Sequence, residues 1–387
     1  MQSFNSRNRR IDLLRGIAIL LVLILHFSLS YQLGYSDLNR VLPGQFIQEF
    51  SGNGNYGVTI FFVISGFLIT GMALQRYHSL AKIDLRHFYV YRFARIMPCL
   101  LLALFLITAL SFTPLSIFKN NLNTVSRPLA IISVLTFWHN VLMEKMGYFN
   151  YCLNIYWSLS VEEVFYLVFP LLCVYFKRLR FIVILCIALI VIAPIQRSFY
   201  PHDEITMLYG YFSCFDAIAM GCCAAIFARL VTFKKRWLVN LVKYAAIVCG
   251  VSIYCYSNIT SNAVVGVSGM AVCAALLLIT SVYQNNPGER YKNSVARGVC
   301  WMGKNSYELY MFHIVVLAIM KEICTPEMLG GFTKILWFLL FISVSVIVSG
   351  VIATFYSQVL NNKLRRILLM GNRSTRSPDE ALAESGN

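Results

Sequence analysis

Residues Arg15–His26, RGIAILLVLILH, decide how the rest of the chain is read. Ten apolar or small residues separate a fixed cation from an imidazole. As an α-helix the stretch would set the two groups ~16 Å apart along the axis, close to three whole turns, so both would lie on nearly one face. Ionisable groups within a membrane-spanning run are costly to bury and therefore point to function. Two plainer explanations compete: Arg15 as a flanking charge, and His26 as a satisfied interior histidine.

The surrounding composition supports the membrane reading. Of the 387 residues 58% are hydrophobic and only 13% charged. The mean hydropathy is +0.66. Runs of about 20 apolar residues, each long enough to cross a hydrocarbon core ~30 Å thick, recur along the whole length. The runs are continuous rather than alternating, which excludes a transmembrane β-barrel. The fold class is therefore an all-α integral membrane protein, a polytopic bundle of about ten transmembrane helices plus one re-entrant or interfacial segment. A net charge of +16 fits cytoplasmic loops rich in Lys and Arg better than nucleic-acid binding. The twelve cysteines lie mostly inside apolar runs and show no CxxC or Cys/His spacing, so no metal centre is expected. The first apolar run has no small-residue cleavage site after it and is read as a retained span.

The predicted spans are 11–31, 56–76, 96–113, 156–176, 180–197, 209–230, 238–257, 263–283, 305–322 and 333–358. Arg7, Arg9 and Arg10 precede the first, which puts the N-terminus in the cytoplasm. The apolar piece 129–143 is too short to cross. Leaving it uncrossed brings the cations at 177–180, at Lys234, Lys235 and Arg236, from Arg290 to Lys304, and at Lys363, Arg365 and Arg366 to one side. An eleventh crossing is the alternative. The membrane domain is assigned to 1–366 and a disordered cytoplasmic tail to 367–387.

This topology aligns several ionisable groups. His26 falls ~22 Å up an outward-running helix, and Glu162 ~9 Å down an inward-running one. In a ~30 Å core they share a level, with Asp216 nearby and His313 nearer the midplane. Glu162 and Glu163 are adjacent, so at most one is expected to face a common cavity. Asp216 as a partner of neighbouring hydroxyls, and His313 as a partner of a tyrosine, are the structural alternatives. A histidine beside a carboxylate is the usual general-base arrangement. At the other face Arg92 and Arg95 share one helical side with Arg15 at the same depth, a grouping suited to phosphate or diphosphate.

Four motifs then resemble the membrane acyltransferase-3 family of bacterial sugar O-acyltransferases. They are Arg-x10-His at Arg15 and His26, the stretch from Gly57 to Thr70, RxxRIxP at Arg92, Arg95, Ile96 and Pro98, and WSLSVEExFYLxFP from Trp157 to Pro170. The segments Phe215–Gly221 and Ser306–His313 also fit, and the likeness runs from about residue 8 to about 360. The resemblance implies ten core spans in a bacterial inner (cytoplasmic) membrane with both termini cytoplasmic. It implies acetyl-CoA or another acyl-CoA as donor, and a cell-surface polysaccharide or lipid-linked oligosaccharide as acceptor. By position it makes His26 the catalytic base and Glu162 its supporting acid. Arg15, Arg92 and Arg95 become the coenzyme-binding cations. Asp216, His313 and Trp157 are candidates for the acceptor side. Two departures stand out: Cys214 where many members carry Arg, and no E-x-P element after Tyr356. The same chemistry on a small secreted molecule such as a macrolide, or a transporter whose buried charges line a path, are the competing functions.

Overall fold

The computed structural model describes residues 8–119, 125–231, 235–256, 258–284 and 291–370. Arg7, Lys234, Arg290 and residues 371–387 lie outside that set. Among the described residues every regular element is a helix.

Helix α1 (Arg9–Tyr31) starts where the Asn8 side chain accepts from the Arg10 backbone N–H. The Asn8 amide reaches Ser281, tying this end of the bundle together. After α2 (Gly44–Gly52) comes α3 (Tyr56–Tyr77), then α4 (Leu85–Ser111). The loop predicted over 77–95 is thus shorter than expected. Asp84 caps the N-terminus of α4 by accepting from the His87 N–H, so Arg86, Arg92 and Arg95 stand on the helix itself. Pro98, expected to start or bend this span, lies in the interior of α4.

The short apolar piece, read as too short to cross, is broken in two. Helices α5 (Arg127–Leu135) and α6 (His139–Met146) are nine and eight residues long, each well short of a crossing. They part at Phe137, whose φ of 62° ends α-helical geometry. Then follow α7 (Trp157–Phe176), α8 (Leu179–Phe199), the short α9 (Glu204–Tyr209), α10 (Tyr211–Leu230), α11 (Arg236–Tyr256) and α12 (Ala263–Tyr283). The last four are α13 (Ser294–Lys304), α14 (Ser306–Ile323), α15 (Gly331–Ile352) and α16 (Gln358–Met370), with a π-helical turn at Ala353–Ser357 joining the final pair. Four residues of the segment set apart as a tail, 367–370, are therefore helical, because α16 packs along α4.

Among the described residues nine helices are long and apolar enough to cross a membrane. The one predicted span not among these, 305–322, corresponds to α14. At 18 residues it is of similar reach but carries Glu308, Lys321 and Glu322. Burial grades the crossings from an inner to an outer shell, with α1, α4 and the α7 span between at 39%, 44% and 50%. The span containing α3 is 78% buried, that containing α10 72% and α12 61%, whereas α8, α11 and the α15–α16 span are each only 17% buried. Apolar side chains such as Ile184, Ile187 and Leu339 face outward on the second group, as lipid contact requires.

The inner shell depends on two reciprocal glycine contacts. A Cβ on Gly66 of α3 would sit 2.0 Å from the Ile218 carbonyl oxygen of α10, and one on Gly221 of α10 would sit 2.0 Å from that of Val63. In the same way Gly16 of α1 lies against Val299, and Gly303 of α13 against Asp12. Only hydrogen fits at these crossings, so backbones touch directly, which is how helices associate where lipid removes the hydrophobic drive.

Candidate active site

Between α3, α4, α7 and α14 lies a cleft of about 110 Å³. On α3 its wall runs from Val58 to Met72. Fourteen residue steps make that ~21 Å along the axis, so the cleft is long and narrow. Arg92 and Arg95 line it from α4, Glu162, Glu163 and Tyr166 from α7, and Arg15 from α1. Four sequence-predicted residues, Arg15, Arg92, Arg95 and Glu162, thus meet in one place.

Each is held by groups the sequence alone did not single out. The Arg15 Nη2 donates to the Ser306 hydroxyl at 2.8 Å. The Arg92 guanidinium lies over the Tyr166 ring at 3.3 Å from its centroid, a desolvated cation–π contact. One carboxylate oxygen of Glu162 accepts from both the Ser65 and Tyr166 hydroxyls. Tyr166 follows Glu162 by four positions, so its side chain returns to the same helix face. Tyr307 donates to the Ile96 carbonyl at 3.0 Å and fixes α14 against α4.

Glu163 departs from the expectation that only one of the two acids would face the cavity. Both line it, together with residues of α3 and α4. The Glu163 side chain is buried, and its Oε1 has no hydrogen-bond partner. An unpaired carboxylate oxygen beside guanidiniums is an unsatisfied site of a kind that packing does not favour.

At the upper end of the cleft the Tyr310 hydroxyl bonds with Ser158 at 2.7 Å and donates to the Ile155 carbonyl at 2.9 Å. The Tyr310 ring lies 5.7 Å from that of His313. His313 is fully buried. Its Nδ1 faces the carbonyls of Tyr310 at 2.7 Å and Leu309 at 3.1 Å. Carbonyls only accept, so the proton is on Nδ1 and Nε2 is left as an acceptor. That Nε2 is buried without a partner. The His26 ring stands 5.0 Å from the His313 ring, tilted by 47°. Among the described residues no hydrogen bond reaches the His26 ring. His26 therefore neighbours His313, while the Glu162 carboxylate is engaged by Ser65 and Tyr166. Tyr310 and His313 stand between the two.

The remaining predicted residues lie elsewhere. Trp157 is nearly buried, stacked on Tyr209 at 4.3 Å and edge-on to Phe62 at 6.0 Å. Asp216 is fully buried in an ion pair with Arg197 at 2.7 Å, and both side chains have 0% exposure. It also accepts from Ser268 at 2.7 Å and from the Ala217 N–H at 2.8 Å. Arg197 reaches Asp216 from the end of α8, while the Cys214 thiol donates to the Leu208 carbonyl at 3.1 Å. Sequence reasoning had treated Arg197 only as the last residue of a span. Among the described residues no group of three or more His, Cys, Asp or Glu is placed to hold a metal ion.

Comparison with known proteins fits this arrangement. Over 347 residues the chain is 24% identical to "O-acetyltransferase OatA" of Staphylococcus aureus strain NCTC 8325, covering 81% of this chain and 51% of that protein. Over 339 residues it is 25% identical to "Peptidoglycan O-acetyltransferase OatA" of Listeria monocytogenes, covering 82% and 51%. The chain thus spans about half the length of these curated relatives. No solved structure matches it. The family model for the acyltransferase-3 group, described as an acyltransferase domain, matches residues 8–354. That range takes in the arginine-lined cleft, the His26–His313 pair and the Arg197–Asp216 ion pair, and with it the chain belongs to the acyltransferase-3 family.

Proposed function

We propose that the protein is a membrane O-acetyltransferase that moves an acetyl group from cytoplasmic acetyl-CoA to a hydroxyl of a cell-surface glycan. The observation that carries this reading is the cleft itself. Three arginines and two carboxylates line it, and beyond its Tyr310 end, outside the lining itself, the His313 ring stands beside that of His26, a histidine with no hydrogen-bond partner among the described residues. The named activities of the relatives, O-acetylation and in one case O-acetylation of peptidoglycan, support the acceptor class.

In this scheme Arg15, Arg92 and Arg95 bind the phosphates of the donor, and the narrow cleft takes its extended thiol arm. His26 removes the proton from the acceptor hydroxyl. The oxygen attacks the thioester carbonyl, a carbon–oxygen bond forms and the carbon–sulfur bond breaks. The imidazolium returns its proton to the departing thiolate. His313, held through Nδ1 by the Tyr310 and Leu309 carbonyls, packs its ring against that of His26 and limits how it turns. Glu162 and Glu163 lower the cost of the transient positive charge on His26 through space, at a distance where a low dielectric keeps Coulomb attraction strong. Both termini and the arginine end of the cleft face the cytoplasm of a bacterial inner membrane, and the acceptor approaches from the opposite side.

The test uses the full chain in proteoliposomes with labelled acetyl-CoA and soluble glycan fragments. Acetyl should appear on the glycan in step with release of free thiol. An intact thioester pool in the presence of acceptor would refute the enzyme and favour a transporter.

A further inference from the structure

Further cations gather outside the cleft, next to its Arg92 and Arg95. Beyond its Met72 end, Arg76 of α3 stands one turn further along the same helix. Its guanidinium lies 5.0 Å from the centroid of the Tyr91 ring. From the other end of the sequence, Arg365 of α16 approaches the same ring at 4.4 Å. Arg365 is also within electrostatic reach of Arg95, four residues beyond Tyr91 on α4. Arg86 Nη2 donates to the Leu368 carbonyl at 3.2 Å, which fastens α16 to α4. Three helices thus bring cations to one ledge at the mouth of the cleft.

These cations stand close together without a direct carboxylate partner. Among the described residues no carboxylate forms an ion pair with Arg76, Arg86, Arg95 or Arg365. The Arg365 Nε is buried and has no hydrogen-bond partner. Cations that merely hold topology extend into water or headgroups. Here two converge on one aromatic ring, and one keeps a buried donor unused. Guanidiniums gathered in this way suit a phosphate group, which takes their paired N–H donors.

We propose that this ledge of Arg76, Tyr91 and Arg365 binds the phosphorylated nucleotide end of the acyl donor, outside the cleft that holds its diphosphate and thiol arm. The proposal rests on the acyl-CoA reading above and extends it to a second phosphate site. It gives α16 a role in donor recognition: the helix closes the site from the C-terminal end of the domain.

The experiment uses the full chain in nanodiscs with Arg365→Gln, Arg76→Gln and, as a charge-keeping control, Arg365→Lys. Donors are acetyl-CoA and 3′-dephospho-acetyl-CoA. Each Gln variant should raise the KM for acetyl-CoA about tenfold, as expected for one lost charged hydrogen bond, with kcat unchanged. The KM for the dephospho donor should already be high and should not move further. Arg365→Lys should fall between. Equal KM values for the two donors in the unaltered protein would overturn the proposal. Binding of adenosine 3′,5′-bisphosphate to the same nanodiscs, weakened by either Gln change, reads the ledge without turnover. If the unaltered protein binds this probe yet consumes no acetyl-CoA, the ledge stands and the acyl-CoA reading falls. Comparing anionic with zwitterionic nanodiscs separates the two sources of phosphate. Loss of retained anionic lipid in the Gln variants, with donor KM unchanged, would assign the ledge to a headgroup and overturn the proposal.

Discussion

Two places inside the bundle set arginine beside a carboxylate, and they are built in opposite ways. In the first, Arg197 of α8 pairs with Asp216 of α10 and Ser268 of α12, and neither charged side chain is exposed. Both Asp216 oxygens are engaged. In the second, Arg92 lies flat on Tyr166, Glu162 shares one oxygen between two hydroxyls, and Glu163 keeps an oxygen unpaired beside an open cleft. The first pair fastens three helices. The second has capacity to spare for something that enters. The Asp216 carboxylate has both oxygens engaged while Glu163 keeps one free, and that difference, more than the presence of charge, separates a structural carboxylate from a reactive one in the membrane.

Breaking the sealed pair should give the largest effect. Arg197→Met leaves Asp216 buried and unpaired, and should cost about 3–5 kcal/mol, read as a large fall in the thermal midpoint of the detergent-solubilised protein. Adding Asp216→Leu should recover much of that loss. If Arg197→Met kept full stability but abolished transfer, the assignment of this pair to structure would fail. The open cleft should answer in reverse. Arg92→Gln should leave the midpoint nearly unchanged and raise the KM for the donor roughly 10- to 100-fold, about 1.5–3 kcal/mol, measured by thiol release. A fall in stability comparable to that of Arg197→Met would erase the contrast.

A smaller effect marks the floor of the comparison. Asp84 caps α4 outside the membrane, where the His87 backbone N–H, ahead of the His87 side chain, holds its pKa below the ordinary carboxylate value. The charged carboxylate therefore contributes stability at neutral pH, and that contribution fades as the pH falls through its lowered pKa. Asp84→Ala should cost about 1 kcal/mol at pH 7, and the difference should shrink in acid. A midpoint difference that grew as the pH fell would contradict the cap.

The parts legible in the sequence were those written in local pattern. Span lengths gave the crossings, and the shortness of 129–143 together with the charge balance spoke against a crossing there, though not for the break at Phe137. The Arg-x10-His and RxxRIxP spacings brought Arg15, Arg92 and Arg95 to one level, and the cleft contains all three. What was not legible came from helices far apart in the chain. Arg197 looked like a span-end charge, and nothing local tells that it reaches across to Asp216. Periodicity gave the directions of Glu162 and Glu163, but not that the cleft would meet both. The early start of α4 was missed because a run of arginines looks like a loop until Asp84 is recognised as its cap.

The central claim is that His26, beside His313 and beyond the Tyr310 side of the arginine-lined cleft, takes the proton of the acceptor hydroxyl. The most direct measurement is acetyl transfer from acetyl-CoA to glycan fragments in proteoliposomes carrying His26→Ala, with donor binding measured on the same preparation. The account predicts transfer reduced at least about a hundredfold with donor affinity retained. Transfer at the unaltered rate would contradict it.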